Sequence, residues 1–166
     1  MLKITQERVH DLFWYDCGTG NLIWKITKSA KAYRGSVAGS VNSHGHVNVQ
    51  VDKVMYAAHQ LIYLWHHGHI PNEIDHEDRD KSNNRIQNLR PATSSQNNGN
   101  IALLRNNTTG YRGVSVNSRS GKFHAQIKIN GKQTYIGRFE LPEDAARAYN
   151  TEAKKHFGDF AYMNDV

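Results

Sequence analysis

Between Glu73 and Asp80 the chain places five carboxylates, Glu73, Asp75, Glu77, Asp78 and Asp80, within eight residues, and one imidazole, His76, among them. Charges this close repel one another unless something positive sits between them, and a divalent metal ion is the obvious candidate. Asp75 and His76 are neighbours, so on an extended backbone their side chains point to opposite faces. If a strand ends there, one of them can hold an ion while the other reaches a water. Two amides follow at set distances, Asn88 twelve residues after His76 and Asn97 twenty-one after it, with Arg85 and Arg90 in between.

The surrounding elements must bring these residues together. Thr5 is a suitable N-cap for a short helix over residues 3–12, with Val9, Leu12 and Phe13 on its apolar side. Tyr15 to Trp24 reads as two strands about a Gly-rich turn, and residues 35–51 continue in the same β-rich manner, with Val47, Val49 and Val51 on one face. Trp14 and Trp24 are expected in the core, and Cys17 is expected to be an ordinary buried or half-buried thiol. Residues 54–65 have Val54, Ala58, Leu61 and Trp65 on one helical face, ended by Gly68. On that helix His59 reads as structural, and His66, His67 and His69 as cations placed well at its C-terminus. Pro71 breaks the helix and opens the Asp75–His76 strand. After a long Asn-rich loop, a strand over Leu89 to Ala92 leads to Thr93 or Ser94, either of which can cap a short helix with Asn97 in its first turns.

Asp75-His76, Asn88 and Asn97, in that order and spacing, resemble the HNH nuclease motif in the form found in phage and intron homing endonucleases. The resemblance implies a ββα-metal core over about residues 70–104 and hydrolysis of DNA phosphodiester bonds to 5′-phosphate and 3′-hydroxyl ends. Such a bond repels hydroxide and builds charge on its leaving oxygen, so the site needs a Lewis acid and a base. One Mg²⁺ or Mn²⁺ per site, which prefers oxygen ligands and keeps several waters, would be held by Asp75 and Asn97. An imidazole is neutral at physiological pH by its reference pKa near 6.5, so His76 is the expected general base. By resemblance Asn88 ties down the loop and holds His76 through backbone hydrogen bonds. Arg85 and Arg90 could grip neighbouring phosphates. Many HNH proteins end the motif in His where this chain has Asn97, which leaves the choice between the two metals open.

A second module is expected after residue 104. Tyr111 to Val116, Phe123 to Ile129 and Lys132 to Phe139 read as three strands, the last two joined by Asn130-Gly131, a type I′ hairpin signal. Pro142 then opens a helix with Glu143 and Asp144 in its first turn and Lys154, Lys155 and His156 in its last, and Ala145, Tyr149, Ala153 and Phe157 cover the sheet. Tyr111-Arg112-Gly113-Val114, Gly137-Arg138-Phe139 and Ala145-Ala146-Arg147-Ala148-Tyr149-Asn150 resemble the apetala-two or ethylene-response-factor DNA-binding domain. That resemblance implies that the sheet face opposite the helix lies in the major groove. Arg112, Ser115, Asn117, Lys122, Gln126, Lys128, Gln133 and Tyr135 would face DNA, with Arg119 nearby. Several family arginines are replaced here by Ser115, Asn117 and Gln133, so plant target sites do not transfer.

Charge agrees with a polyanion partner. The net charge is +6, and between Tyr111 and Phe139 there are six basic residues and no acidic one. A single cysteine excludes an internal disulfide and a cysteine-based zinc finger. At a mean hydropathy of -0.71, no run is long enough to cross a bilayer, and Met1 to Glu7 lack the apolar core of a signal peptide, so an intracellular protein without a membrane partner is expected. The whole reads as an α+β protein, with a nuclease domain over residues 1–104 and a DNA-binding domain over residues 105–166. It is expected to act as a monomer on double-stranded DNA, without a small-molecule cofactor, in a host bacterium if phage-encoded. A DNA-binding regulator with an inactive nuclease site is the alternative.

Overall fold

The computed structural model describes residues 4–103 and 106–166, an α+β chain that divides into two compact units, one up to Pro91 and one from Ala92. Residues 104 and 105, where the sequence places the domain junction, lie outside the described residues.

The first unit opens with helix α1 (Gln6–Leu12), capped by the Thr5 hydroxyl, which accepts from the Arg8 N–H at 3.2 Å. Strands β1 (Phe13–Asp16) and β2 (Asn21–Trp24) form a hairpin, and β3 (Ser40–Val41), β4 (Val47–Val51) and β5 (Val54–Ala57) form an antiparallel sheet. Helix α2 (Ala58–His67) follows β5 and ends on Gly68, whose φ of 75° supplies the left-handed C-terminal residue. Val9, Leu12, Phe13, Leu22, Val49, Val51, Leu61 and Ile62 fill the core between them.

Three expectations change here. Val54 to Ala57 are strand, not helix, because Asp52 and Lys53 both take positive φ (47° and 69°) and reverse the chain as a two-residue hairpin, pairing Val51 with Val54. Trp14 is 43% exposed: Phe13 takes the inward face of β1, so its neighbour must point out, where Arg34 lies over its ring. Cys17 is exposed on the Gly-rich turn rather than buried.

Strand β6 (Glu73–His76) pairs with β7 (Leu89–Ala92), and a 3₁₀ turn over Ile86–Asn88 brings the long connecting loop back. The second unit contains helix α3 (Ser94–Asn100), closed at its start by a capping box between Thr93 and Gln96. Gly99 of α3 meets the Phe157 ring so closely that a Cβ there would lie 2.7 Å from Cγ. Strands β8 (Val114–Val116), β9 (Phe123–Ile129) and β10 (Lys132–Phe139) form a sheet with β9 central, covered by helix α4 (Pro142–Phe157) through Val114, Ala125, Ile127, Ala145, Tyr149, Ala153 and Phe157. Asn130 and Gly131 have φ of 48° and 81°, as the hairpin requires. Asn164 fastens the C-terminal segment, accepting from the Arg112 N–H at 2.7 Å and donating to its carbonyl at 3.1 Å. Among the described residues no helix is long and apolar enough to cross a membrane.

Candidate active site

Asp75 and His76 sit at the end of β6, each only 5% exposed. His76 Nε2 lies 3.1 Å from Asn84 Oδ1, and the Asn84 amide nitrogen donates to the Ser82 carbonyl at 3.2 Å. That second bond fixes which end of the amide is oxygen, so the contact to His76 must be an N–H donating to it. The imidazole therefore keeps its proton on Nε2, and Nδ1 is its basic nitrogen. Asn84 is 2% exposed, and nothing in the sequence marks it: in a loop with Asn83, Asn84 and Asn88, composition does not say which amide turns inward.

Asn88 lies between the loop's two ends. Its Oδ1 accepts from the Asp78 N–H at 3.0 Å, its Nδ2 donates to Asp78 Oδ1 at 2.9 Å and to the Asn83 carbonyl at 2.8 Å, and its carbonyl accepts from the Glu77 N–H at 3.0 Å. Burial pushes the Asp78 carboxyl up, yet the amides of Asn83 and Asn88 and the Asp80 N–H outweigh it and hold Asp78 below the usual carboxylate range. Asp80 is held low by the hydroxyl and N–H of Ser82. Much of the acidic run thus shapes the loop.

The loop rests on the first hairpin. Tyr15 Oη accepts from the Ile86 N–H at 2.8 Å, Arg85 Nε donates to the Gly18 carbonyl at 2.9 Å, and a Cβ on Gly20 would stand 2.5 Å from the Arg85 nitrogen. Arg85 also donates to Asn83 Oδ1, so this guanidinium, expected at a phosphate, braces the loop.

Arg90 answers the question of what neutralises the acids. Its Nε and Nη2 both lie 2.9 Å from Asp75 Oδ2, and Nη1 lies 3.4 Å from Glu77. Removing one partner of so buried a pair takes this counter-charge from a carboxylate that is 5% exposed, and Arg90→Ala should cost about 3 kcal/mol in urea unfolding.

Two further histidines, His59 on α2 and His46 before β4, join the site. The His59 ring, near the start of α2, stands 5.1 Å from the His76 ring, and His46, in the turn before β4, stands 5.3 Å from His59 and 5.8 Å from His76. Burial, then the charges of His76 and His46, pull the His59 pKa down to about 3, and burial lowers His46 as well. A histidine depressed in the fold takes up its proton more readily when unfolded, so its contribution is complete above about pH 6.5 and is lost as pH falls toward 3. In chelator-treated protein, unfolding free energy should fall as pH is lowered across that window, and His59→Gln should flatten the slope.

In the second unit, Asn97 lies on α3 within hydrogen-bonded helix, its N–H on the Thr93 carbonyl at 2.9 Å. Pairing of Ser115 with His124, Gln126 with Tyr135 and Lys128 with Gln133 sets these six side chains on the face away from α4. A register shift between Tyr135 and Gly137 adds Arg138, opposite His124. Ile136 and Phe139, both apolar and three apart in one strand, were the available signal for that bulge. Asn117 Oδ1 accepts from the N–H groups of Arg119 and Ser120, which shapes the β8–β9 turn and leaves Arg119 exposed on it. Lys122 is paired with Glu140. Arg112, expected to face DNA, directs its guanidinium to the carbonyls of Asn98 and Ile101 and lies 5.7 Å from the Tyr162 ring.

A family model described as HNH endonuclease matches residues 56–99. An uncharacterized HNH endonuclease of Acanthamoeba polyphaga mimivirus is 33% identical over 145 residues, 86% of this chain and 71% of that protein. Protein 3.8 of Escherichia phage T7 is 31% identical over 109 residues, 63% of this chain and 89% of its own length. An AP2-like ethylene-responsive transcription factor of Arabidopsis thaliana is 40% identical over 62 residues, 37% of this chain but only 13% of the plant protein.

Proposed function

We propose, from the premise that the chain belongs to the HNH endonuclease family, that it is a divalent-metal-dependent DNA endonuclease of the phage homing type, whose C-terminal sheet grips the target. The observation that carries the reading is His76, buried at the end of β6 with its Nε2 proton fixed by Asn84 and its loop tied by Asn88. His76 Nδ1 takes a proton from the attacking water, and the Asn84 amide steadies the imidazolium that results. Asp75 is the hard oxygen donor that such an ion prefers: a buried carboxylate, with Oδ2 held in place by Arg90 at 2.9 Å. Asp75 would hold Mg²⁺ or Mn²⁺, which supplies positive charge to the phosphate when bound. The products carry 5′-phosphate and 3′-hydroxyl ends.

Residues up to about 104 cut, and residues 105–166 hold the duplex through the face that carries Ser115, His124, Gln126, Lys128, Gln133, Tyr135 and Arg138. The similarity to plant AP2-like factors supports this grip. A recognition module on the same chain raises the effective concentration of the cutting site. Lys128→Ala should weaken duplex binding at every sequence alike and lower the salt dependence of log K by about one unit, read by fluorescence anisotropy over a salt series.

One active site cuts one strand, so a monomer should nick. Supercoiled DNA incubated with Mg²⁺ or Mn²⁺ tests the whole reading. Relaxed circles whose new ends are ligatable without phosphate addition are expected; intact plasmid under both metals, with binding retained, would leave the DNA-binding regulator as the better account.

A further inference from the structure

His46 lies outside the residues that the family model matches and His59 inside them, and with His76 the two are placed as ligands are. Each of the three offers one nitrogen, and these nitrogens all lie within 4.8 Å of one another. Among the described residues, His46 Nδ1 and His59 Nδ1 are both buried without a hydrogen-bond partner. A buried nitrogen left unpaired is costly, and two of them on rings 5.3 Å apart call for a shared occupant. Three imidazoles are a poor set for Mg²⁺, which prefers oxygen, and a good one for Zn²⁺ and its neighbours in the first transition row. Zinc bound at about 2.0–2.1 Å in a tetrahedron holds its nitrogens roughly 3.4 Å apart, so small rotations of these rings close on an ion.

We propose that His46, His59 and His76 form a second metal site, for Zn²⁺ or a similar transition ion, and that filling it switches the nuclease off. Because His76 holds its Nε2 proton against Asn84, the lone pair it can offer a metal is the one it would use on water. Zinc there removes the base and leaves Asp75 untouched. The switch rests on the role of His76 argued above; the site itself does not.

Two measurements on the full chain separate these. Isothermal titration with Zn²⁺ alone, and the visible absorption of the Co²⁺ form, should show one ion per chain in tetrahedral nitrogen surroundings. Affinity should fall at least about tenfold in His46→Ala, which removes a partly exposed ring, and likewise in His59→Gln. Binding that is absent, or unchanged in both variants, overturns the site, and the Co²⁺ spectrum of the unaltered protein decides the matter if either variant unfolds. Mg²⁺-supported nicking, normalised to each protein's zinc-free rate, should fall as zinc fills the site and should need about tenfold more zinc in His46→Ala. Nicking undiminished with the site full overturns the switch. No nicking without zinc overturns the function proposed above, while the titration still decides the site.

Discussion

His76→Ala should lower the rate of DNA nicking by about 10²–10⁴-fold, the usual worth of a positioned general base, with duplex affinity within about twofold of the unaltered protein. The prediction separates chemistry from grip because His76 is 5% exposed while the proposed DNA face is the sheet of the second unit. Asn84 acts through His76 and is a positioning residue, so its variants should act on the pH profile as well as on the rate. Asn84→Ala leaves the Nε2 proton without its acceptor and frees the ring to adopt the other tautomer. Asn84→Asp keeps an acceptor and adds a negative charge beside the imidazole, which favours the protonated ring. The acid limb of the rate profile should then move to higher pH. A profile that stays put while the rate falls would assign Asn84 to the scaffold alone, and single-turnover nicking across pH 5–8 in both variants reads the difference.

Gly113→Ala should be the most damaging single methyl in the second unit. Gly113 has φ of +74°, and a Cβ on it would fall 2.1 and 2.3 Å from the Tyr149 ring carbons and 2.7 Å from the Gln126 carbonyl oxygen. Tyr149 is 2% exposed and cannot swing away, and the Gln126 N–H donates to the Gly113 carbonyl at 2.8 Å, so the backbone cannot retreat without loosening β9. Left-handed strain of about 1–3 kcal/mol and overpacking of about 1–3 kcal/mol act together, and a total near 4 kcal/mol is a large share of a small domain's stability. Near-UV circular dichroism under urea should show the loss, accompanied by loss of duplex binding. Retention of both would mean that Tyr149 is not the rigid wall described. Gly113 could be read in the sequence only as part of Tyr111-Arg112-Gly113-Val114; its need to be glycine comes from α4, more than thirty residues away along the chain.

That contrast runs through the molecule. Elements set by near neighbours were legible: the Thr5 and Thr93 caps, the Gly68 stop, the alternation of Val47, Val49 and Val51, the Asn130-Gly131 turn and the α4 face each depend on residues within one or two turns. β5 escaped because its helical-looking pattern is cut short by a hairpin whose Asp52-Lys53 turn lacks the usual glycine.

For the site, the chain by itself determined which residues could do the chemistry: an acid beside an imidazole at a strand's end, with amides at set distances behind. Only the tertiary structure decided how they are held. It put Arg90 on Asp75, chose Asn84 from a run of amides to hold the His76 proton, braced the loop on Tyr15 and Gly18, and brought His46 and His59 to the same imidazole. The reason is physical. A cap or an alternation is fixed by backbone geometry over a few residues, whereas these contacts join positions up to some seventy residues apart, whose meeting depends on every turn between them.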